Sequence, residues 1–390
     1  MTRRVRVVDS NRPDEVFAAL REALADGGAA VIPREPATEP GKRGGAGWPA
    51  PETTVAQNVA LVIETSGSTG SPKRVALSAD ALLASAAASA GAMGGQGQWM
   101  LTLPAHYVAG AQVLVRSIAA ETVPLMYGPG HFDPLRFARA ASEMVHDLRF
   151  VSLVPVQLSR LIDAVESGSA DVAAALRRFD GILVGGQALD DGLRERALAA
   201  GSRILSTYGS SETAGGCVYD GTPIGSTLVR EVDGLLEIAG PVLADGYLDD
   251  PDRTAAAFHE ADGQRWYRTG DLGRVTAEGR VTVTGRADNV IISGGEKVLL
   301  DAVERTVRTL AGFEQAIVIA ATDAEWGQVP VVAVAGHPTT ALADLRGIVA
   351  GRLGRAAAPA RIVEFDALPH LSSGKPDRVQ LTRLVAERTA

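Results

Sequence analysis

The chain has 390 residues, 46% hydrophobic and 22% charged, with a formal net charge of −8 at pH 7. This length exceeds one typical core and predicts two domains, and the acidic balance argues against nucleic acid as a general partner. No apolar run approaches the roughly 18 residues of a membrane span. The N-terminal MTRRVRVVDSNRPDE lacks a signal-peptide apolar region. A single cysteine, Cys217, excludes an internal disulfide framework, so the expectation is a cytoplasmic protein without a membrane partner.

Residues 35–52, EPATEPGKRGGAGWPAPE, read as a Pro/Gly-rich loop between a short N-terminal segment and the first core strand. Strand-like apolar runs follow at 59–64 (VALVIE), 99–103, 149–154, 181–185 and 203–207, with alanine- and leucine-rich helical stretches such as 79–93 and 190–200 between several of them. This rhythm predicts a doubly wound α/β domain of mostly parallel strands, with ligands at the strands' carboxyl ends. From about residue 222 alternating stretches around Asp233-Gly234 and Glu278-Gly279 predict antiparallel hairpins, a β-rich subdomain over 222–287. Residues 288–390 return to mixed helix and strand, a small α+β C-terminal domain after a large domain over 1–287.

Directly after the 59–64 run comes TSGSTGSPKR, Thr65 to Arg74. Glycines admit backbone N–H groups to an anion, hydroxyls add donors and a lysine adds charge. The spacing differs from the common nucleotide loop, because Pro72 separates Gly70 and Lys73 from the expected Gly-Lys pair. Composition leaves two readings open, a phosphate loop or a flexible linker. Lysine usage adds to the case: only four of 38 basic residues are lysines, and Lys73, Lys297 and Lys375 all sit in Gly/Ser-rich loops, whereas Lys42 belongs to the linker. Lysine supplies a compact charge that arginine's planar fork cannot imitate. No GxGxxG, HExxH or Cys/His cluster with metal spacing occurs, which argues against a nicotinamide cofactor or structural zinc.

The order of the loops is more specific than any one of them. TSGSTGSPK (65–73), PAHYVAG (104–110), GGQ (185–187), YGSSE (208–212), YRTGDLG (267–273), GRADNVIISGGEKV (285–298) and LPHLSSGKPDR (368–378) occur in series. From about residue 59 to the end the chain resembles the adenylate-forming superfamily of acyl-CoA synthetases, peptide-synthetase adenylation domains and luciferases. Its N-terminal end reads as trimmed relative to most members. The resemblance implies two half-reactions: ATP converts a carboxylate to an acyl-adenylate with loss of pyrophosphate, and a thiol then displaces AMP. It implies that Thr65, Ser66, Gly67, Ser68, Thr69, Gly70 and Lys73 hold the β- and γ-phosphates. Ser211 approaches the α-phosphate, Gly209 is a further nucleotide-binding residue, Glu212 ligates Mg²⁺, and Tyr208 with Gly185, Gly186 and Gln187 holds adenine. Asp271 and Arg286 grip the ribose, Asp288 is the hinge of a mobile small domain, and Lys375 is the adenylating lysine.

YGSSETAGGCVYDGTPIG together with PKRVALS resembles the o-succinylbenzoate–CoA ligases of menaquinone biosynthesis, especially compact actinobacterial members. The expected partners are then ATP, Mg²⁺, coenzyme A and an aryl carboxylic acid, with oligomeric state open, a homodimer included. Ala214, Gly215 and Gly216 read as the floor of a flat aryl pocket, with His106, Tyr107 and Ser210 as further lining candidates. His106 also reads as a structural histidine, Lys297 as a solvated lysine and Cys217 as a small buried hydrophobe. Another aryl-acid ligase or free-standing adenylation enzyme, and a non-catalytic nucleotide-binding scaffold, are the alternatives; Lys73, Glu212, Asp271 and Lys375 together argue against the last.

Overall fold

Four of the apolar runs become adjacent parallel strands. In the computed structural model, which describes residues 1–25, 27–35, 53–65, 73–128, 130–370 and 376–389, Gln98–Leu101, Arg149–Leu153, Gly181–Val184 and Ile204–Ser210 lie side by side. Leu125–Met126 extends the sheet at one edge, and antiparallel Gly215–Tyr219 and Thr222–Pro223 extend it at the other. Strands apolar on both faces need cover on both. Met100, Val151, Ile182 and Val184 pack with Phe137, Leu158 and Phe179 from the helices Pro134–Ser142 and Pro155–Glu166 and the end of Ala170–Arg178. Trp99, one residue from Met100 and so on the opposite face, lies under the Arg116 guanidinium of the helix Val108–Ala119 at 4.7 Å.

The 59–64 run belongs elsewhere. Val59–Thr65 pairs antiparallel with Lys73–Ser78 and parallel with Ala30–Arg34, which runs parallel to Thr2–Asp9. The N-terminal segment is thus a complete strand–helix–strand unit around the helix Pro13–Leu24, and it supplies half of the six-stranded sheet together with Thr54–Ala56. An apolar run announces burial, but nothing in it names its neighbour.

Turn chemistry agrees with the hairpins. Asp220-Gly221, Asp233-Gly234 and Asp262-Gly263 have positive φ at both residues (46° and 77°, 52° and 80°, 54° and 71°), the geometry that two-residue hairpins select. Only the middle pair is among the hairpins the sequence singles out.

The chain divides into two compact units. One comprises Met1–Val229, Glu237–Arg268 and Ala277–Val281; the other comprises Arg230–Leu236, Thr269–Thr276 and Thr282–Ala390. Within the second, Ile317–Asp323 and Gly327–Ala335 form a long hairpin flanked by Val290–Ser293 and Arg361–Phe365. Val318, Val332 and Val334 face the helices Leu300–Arg308 and Leu342–Leu353, while Ile317, Ile319, Val331 and Ala333 face the helix Arg378–Thr389 through Leu381 and Val385. No helix among the described residues is long and apolar enough to cross a membrane.

Candidate functional site

Ser66, Gly67, Ser68, Thr69, Gly70, Lys42 and Lys375 lie outside the described residues, but the flanks of the 66–72 segment are fixed. Thr65 and Lys73 are cross-strand partners, so the segment joins two antiparallel strands instead of opening a helix. Below it Glu64 accepts two bonds of 2.8 Å from the Arg34 guanidinium and lies 3.7 Å from Arg74. A bidentate arginine pair of this kind is geometrically specific. It locks the base from which Lys73 emerges.

Tyr247 pairs in register with Val75 on the same strand as Lys73, and the Lys73 Nζ lies 5.5 Å from its ring centroid. The Tyr247 hydroxyl donates to Glu212 Oε1 at 2.8 Å, and both residues are buried. Burial, followed by the Glu212 charge, pushes the phenol's pKa well above the usual tyrosine range. It therefore stays protonated and donating. Sequence reasoning missed Tyr247; the available signal was only one of six tyrosines standing just after a glycine, Gly246.

Glu212 sits in the one-turn helix Ser211–Thr213, which follows the strand Ile204–Ser210. Thr213 Oγ1 accepts from the Ser210 N–H at 2.8 Å and donates to the Gly215 carbonyl at 2.8 Å, and the Ala244 N–H donates to the Glu212 carbonyl at 2.8 Å. Ala214 then adopts φ +49° and Gly215 φ +99°. The Ala214 carbonyl accepts from Ser85 Oγ and Gln112 Nε2 at 3.0 and 2.7 Å. The sequence assigned the small size of 214–216 to room for a ligand. At Gly215 the structure adds a reason internal to the protein, a positive φ that glycine adopts without strain. At Gly216 a Cβ would meet Thr207 Cβ at 3.1 Å and the Tyr219 ring at 3.3 Å.

Gly185 follows the strand Gly181–Val184, and a Cβ there would fall 2.3 Å from Thr207 Oγ1 on the adjacent strand. Gly186 has φ +82°, and at Gly209 a Cβ would meet the Gly215 carbonyl at 2.1 Å. Gln187 and Tyr208 are half-buried at these same strand ends. His106 bonds Ser10 Oγ through Nδ1 at 3.0 Å and packs its ring 4.2 Å from that of Tyr107. Arg116, one helical turn beyond Gln112, is buried at 6% exposure with its nearest described polar contact the Tyr219 hydroxyl at 3.5 Å. Burial holds its pKa below the usual arginine range.

In the second unit Arg286 is held by two carboxylates, Asp271 Oδ1 at 3.0 Å and Asp288 at 3.2 Å, and also donates to the Thr269 carbonyl at 3.2 Å. Burial alone would lower its pKa, but the bonds and charges of Asp288 and Asp271 raise it instead. Asp301 accepts from the Arg286 backbone N–H at 2.9 Å and from Asn289 at 3.1 Å, bracing this turn. Lys297 is exposed on the strand Glu296–Leu299.

Among the described residues no group of three or more His, Cys, Asp or Glu side chains converges as a metal cage. Glu212 fits a different arrangement: one oxygen accepts the Tyr247 hydrogen bond, and Mg²⁺ is commonly held by one or two carboxylates with phosphate oxygens and water completing its shell. A groove of about 770 Å³ between the helix Ala79–Ala92 and residues 222–226 is lined by none of the candidate residues.

A lysine-bearing antiparallel hairpin beside a buried carboxylate that follows a parallel strand places the candidate site where α/β enzymes take their ligands. The chain belongs to the AMP-binding enzyme family, matching it over residues 5–248 and its C-terminal domain over residues 302–375. The match reaches residue 5, so it takes in the N-terminal strand–helix–strand unit that the sequence-based resemblance left out. A Mycobacterium tuberculosis protein (strain CDC 1551 / Oshkosh) named "Probable 2-succinylbenzoate--CoA ligase" is 38% identical over 338 residues, covering 84% of this chain and 85% of its own. A Listeria monocytogenes serotype 4b 2-succinylbenzoate–CoA ligase is 30% identical, covering 85% and 71%. Among solved structures, o-succinylbenzoate CoA synthetase from Bacillus subtilis in complex with its acyl-adenylate intermediate is 26% identical, with a TM-score of 0.71 over 83% of this chain and 69% of that one.

The lone thiol is structural. Cys217 is buried in the strand Gly215–Tyr219, and burial pushes its pKa up to about 12. At pH 8 the native protein should therefore leave a chromogenic disulfide reagent unreacted and release one equivalent only on unfolding. Prompt stoichiometric reaction of the native protein would contradict the buried assignment.

Proposed function

We propose that the protein is an ATP-dependent o-succinylbenzoate–CoA ligase acting in menaquinone biosynthesis. The observation that carries the chemistry is the Lys73–Tyr247–Glu212 arrangement, a cation and a carboxylate fixed on one tyrosine. The names of the relatives support the choice of acid.

In the first half-reaction a substrate carboxylate oxygen attacks the α-phosphorus of ATP, the bond to the bridging oxygen breaks, and pyrophosphate leaves. Lys73 and Thr65, with Ser66, Gly67, Ser68, Thr69 and Gly70, hold the departing phosphates. Glu212 would hold Mg²⁺, which supplies charge neutralisation on the phosphate oxygens. Tyr247 keeps the Glu212 carboxylate in one orientation. Ser211 with Gly209 approaches the α-phosphate, Tyr208 with Gly185, Gly186 and Gln187 holds adenine, and Asp271, its carboxylate fixed by Arg286, takes the ribose hydroxyls. In the second half-reaction the CoA thiolate attacks the acyl carbonyl and AMP leaves. Asp288 is the pivot of the small domain between the two.

The acid carries a second carboxylate, which a positive group must meet. Arg116 is a buried cation with no carboxylate among its described contacts, one turn from the Gln112 that braces Ala214. With a panel of acids read by pyrophosphate release with and without CoA, o-succinylbenzoate should be preferred over benzoate and octanoate, and Arg116→Gln should raise KM for o-succinylbenzoate while leaving KM for ATP within about twofold. Preference for another aryl acid, or release unaffected by CoA with no thioester formed, would point to a different ligase or a free-standing adenylation enzyme.

Lys375 neutralises charge on the attacking carboxylate and the five-coordinate phosphorus. Removing one preorganised donor of this type typically costs about 10²–10³ in rate. Lys375→Ala should therefore nearly abolish pyrophosphate release while converting supplied acyl-adenylate to thioester at close to the wild-type rate. Equal loss in both steps would refute the assignment.

The pivot separates the steps in the other direction. Proline at 288 fixes φ near −65°, so Asp288→Pro should retain adenylate formation and lose thioester formation. Asp288→Ala removes the same half-exposed ion pair to Arg286, an interaction worth at most about 1 kcal/mol, without restricting φ. It should keep both half-reactions; if it fails as the proline variant does, the ion pair and not the rotation is what matters.

A further inference from the structure

Two helices and a strand of the first unit meet around the buried Arg116. It stands on the helix Val108–Ala119, with its guanidinium over the Trp99 ring. Its Nη2 donates to the Tyr219 hydroxyl at 3.5 Å, and that hydroxyl lies 2.9 Å from Ser89 Oγ on the helix Ala79–Ala92. Ser89 and Tyr219 are both buried. Ser89 Oγ in turn donates to Met93 Sδ at 3.6 Å.

The direction of these bonds follows from the guanidinium. Arginine has donors only, so the tyrosine oxygen accepts from it and turns its own proton to Ser89. Ser89 then donates to Met93, and the chain runs from Arg116 through Tyr219 and Ser89 to Met93. A phenylalanine at 219 would fill the same space and offer the guanidinium no acceptor. The sequence of the helix agrees. Ser85 and Ser89 stand one turn apart in an alanine-rich segment, where a buried hydroxyl is costly without a partner. Each has one: Ser85 donates to the Ala214 carbonyl and Ser89 meets Tyr219. Gly216 leaves room for the phenol ring, because a Cβ there would fall 3.3 Å from Tyr219 Cε1.

One donor is left over. Arg116 Nε is buried without a hydrogen-bond partner among the described residues, and no carboxylate is among the guanidinium's described contacts. A buried cation without a counter-charge is costly. Held on one face by Trp99 and at one corner by Tyr219, this one is set to receive a carboxylate.

We infer that Tyr219, itself held by Ser89, is a positioning residue that sets Arg116 for the acid's second carboxylate, and so governs selectivity for a two-carboxylate substrate. This rests on the reading of Arg116 as the group that meets that carboxylate. Tyr219 touches no substrate in this scheme; it acts through the arginine.

The test compares o-succinylbenzoate with 3-benzoylpropanoate, the same keto acid without its ring carboxylate. Pyrophosphate release is measured on the full-length protein, and the thermal midpoint is recorded for each variant. A 3.5 Å bond is long, so Tyr219→Phe should lower kcat/KM for o-succinylbenzoate by about 5- to 10-fold, near the low end for a bond to a charged group. The loss should lie in KM. With 3-benzoylpropanoate kcat/KM should not change, so discrimination between the two acids falls by the same factor. Ser89→Ala leaves the phenol in place and should cost about threefold, with o-succinylbenzoate alone. In an Arg116→Gln background Tyr219→Phe should add nothing further, because groups acting through one another are not additive. Equal losses with both acids, or losses that multiply in the double variant, would make Tyr219 merely structural and overturn the inference. If Tyr219→Phe does not fold, Ser89→Ala carries the same comparison. The two readings fail differently. Discrimination unchanged in Arg116→Gln would remove the arginine's role itself, whereas its collapse there with discrimination intact in Tyr219→Phe would overturn the positioning alone.

Discussion

The candidate site of the first unit depends on one buried hydrogen bond, from Tyr247 to Glu212. Tyr247 belongs to the six-stranded sheet and Glu212 to the turn that ends a strand of the seven-stranded sheet. The segment between Ala244 and Leu248 is a strap. Ala244 donates to the Glu212 carbonyl, Asp245 to Ala76 and Leu248 to Arg74. Side chain and backbone therefore fix the same pair of elements twice. A hydrogen bond to a charged acceptor is stronger than a neutral one, and leaving the carboxylate unpaired in a buried setting would be costly. The spacing of Lys73 from Glu212 follows from this strap, because Lys73 lies on the strand that the strap pairs with.

The second unit uses the opposite arrangement. Arg286 is a cation between two acids, Asp271 and Asp288, and is half exposed. Its partners come from separate stretches of chain, so the guanidinium gathers them as the phenol gathers Lys73 and Glu212 in the first unit. In each unit a residue with a fixed planar head organises more flexible neighbours.

Most of the architecture was legible because its strands are apolar runs bounded by turns. The strands near 99, 149, 181 and 203, the helices near 79 and 190 and the alternating hairpins all stand close to where the sequence puts them. The membership of Val59–Thr65 in a second sheet was not legible, since an apolar run carries no information about its neighbour. Gly215 was read as space, and its backbone also has a positive φ; composition cannot separate a small residue kept for room from one kept for φ. Tyr247 went unread for another reason: its partner Glu212 stands 35 residues away, a distance that no local pattern encodes.

The sheet of the second unit, apolar on both faces, has a consequence for how its strands find their alignment. In a half-buried sheet a slip of one residue drives polar groups inward and is rejected at once. Here a slip between Ile317–Asp323 and Gly327–Ala335 would exchange one set of valines and isoleucines for another, so hydrophobicity discriminates weakly. The choice falls to the connection. Asp323 Oδ1 accepts from the backbone N–H groups of Glu325 and Trp326, both at 2.9 Å, and Gly327 closes the three-residue loop at φ +76°. That loop admits one alignment only. A short polar turn at the surface thus decides which residues enter which of two otherwise interchangeable cores.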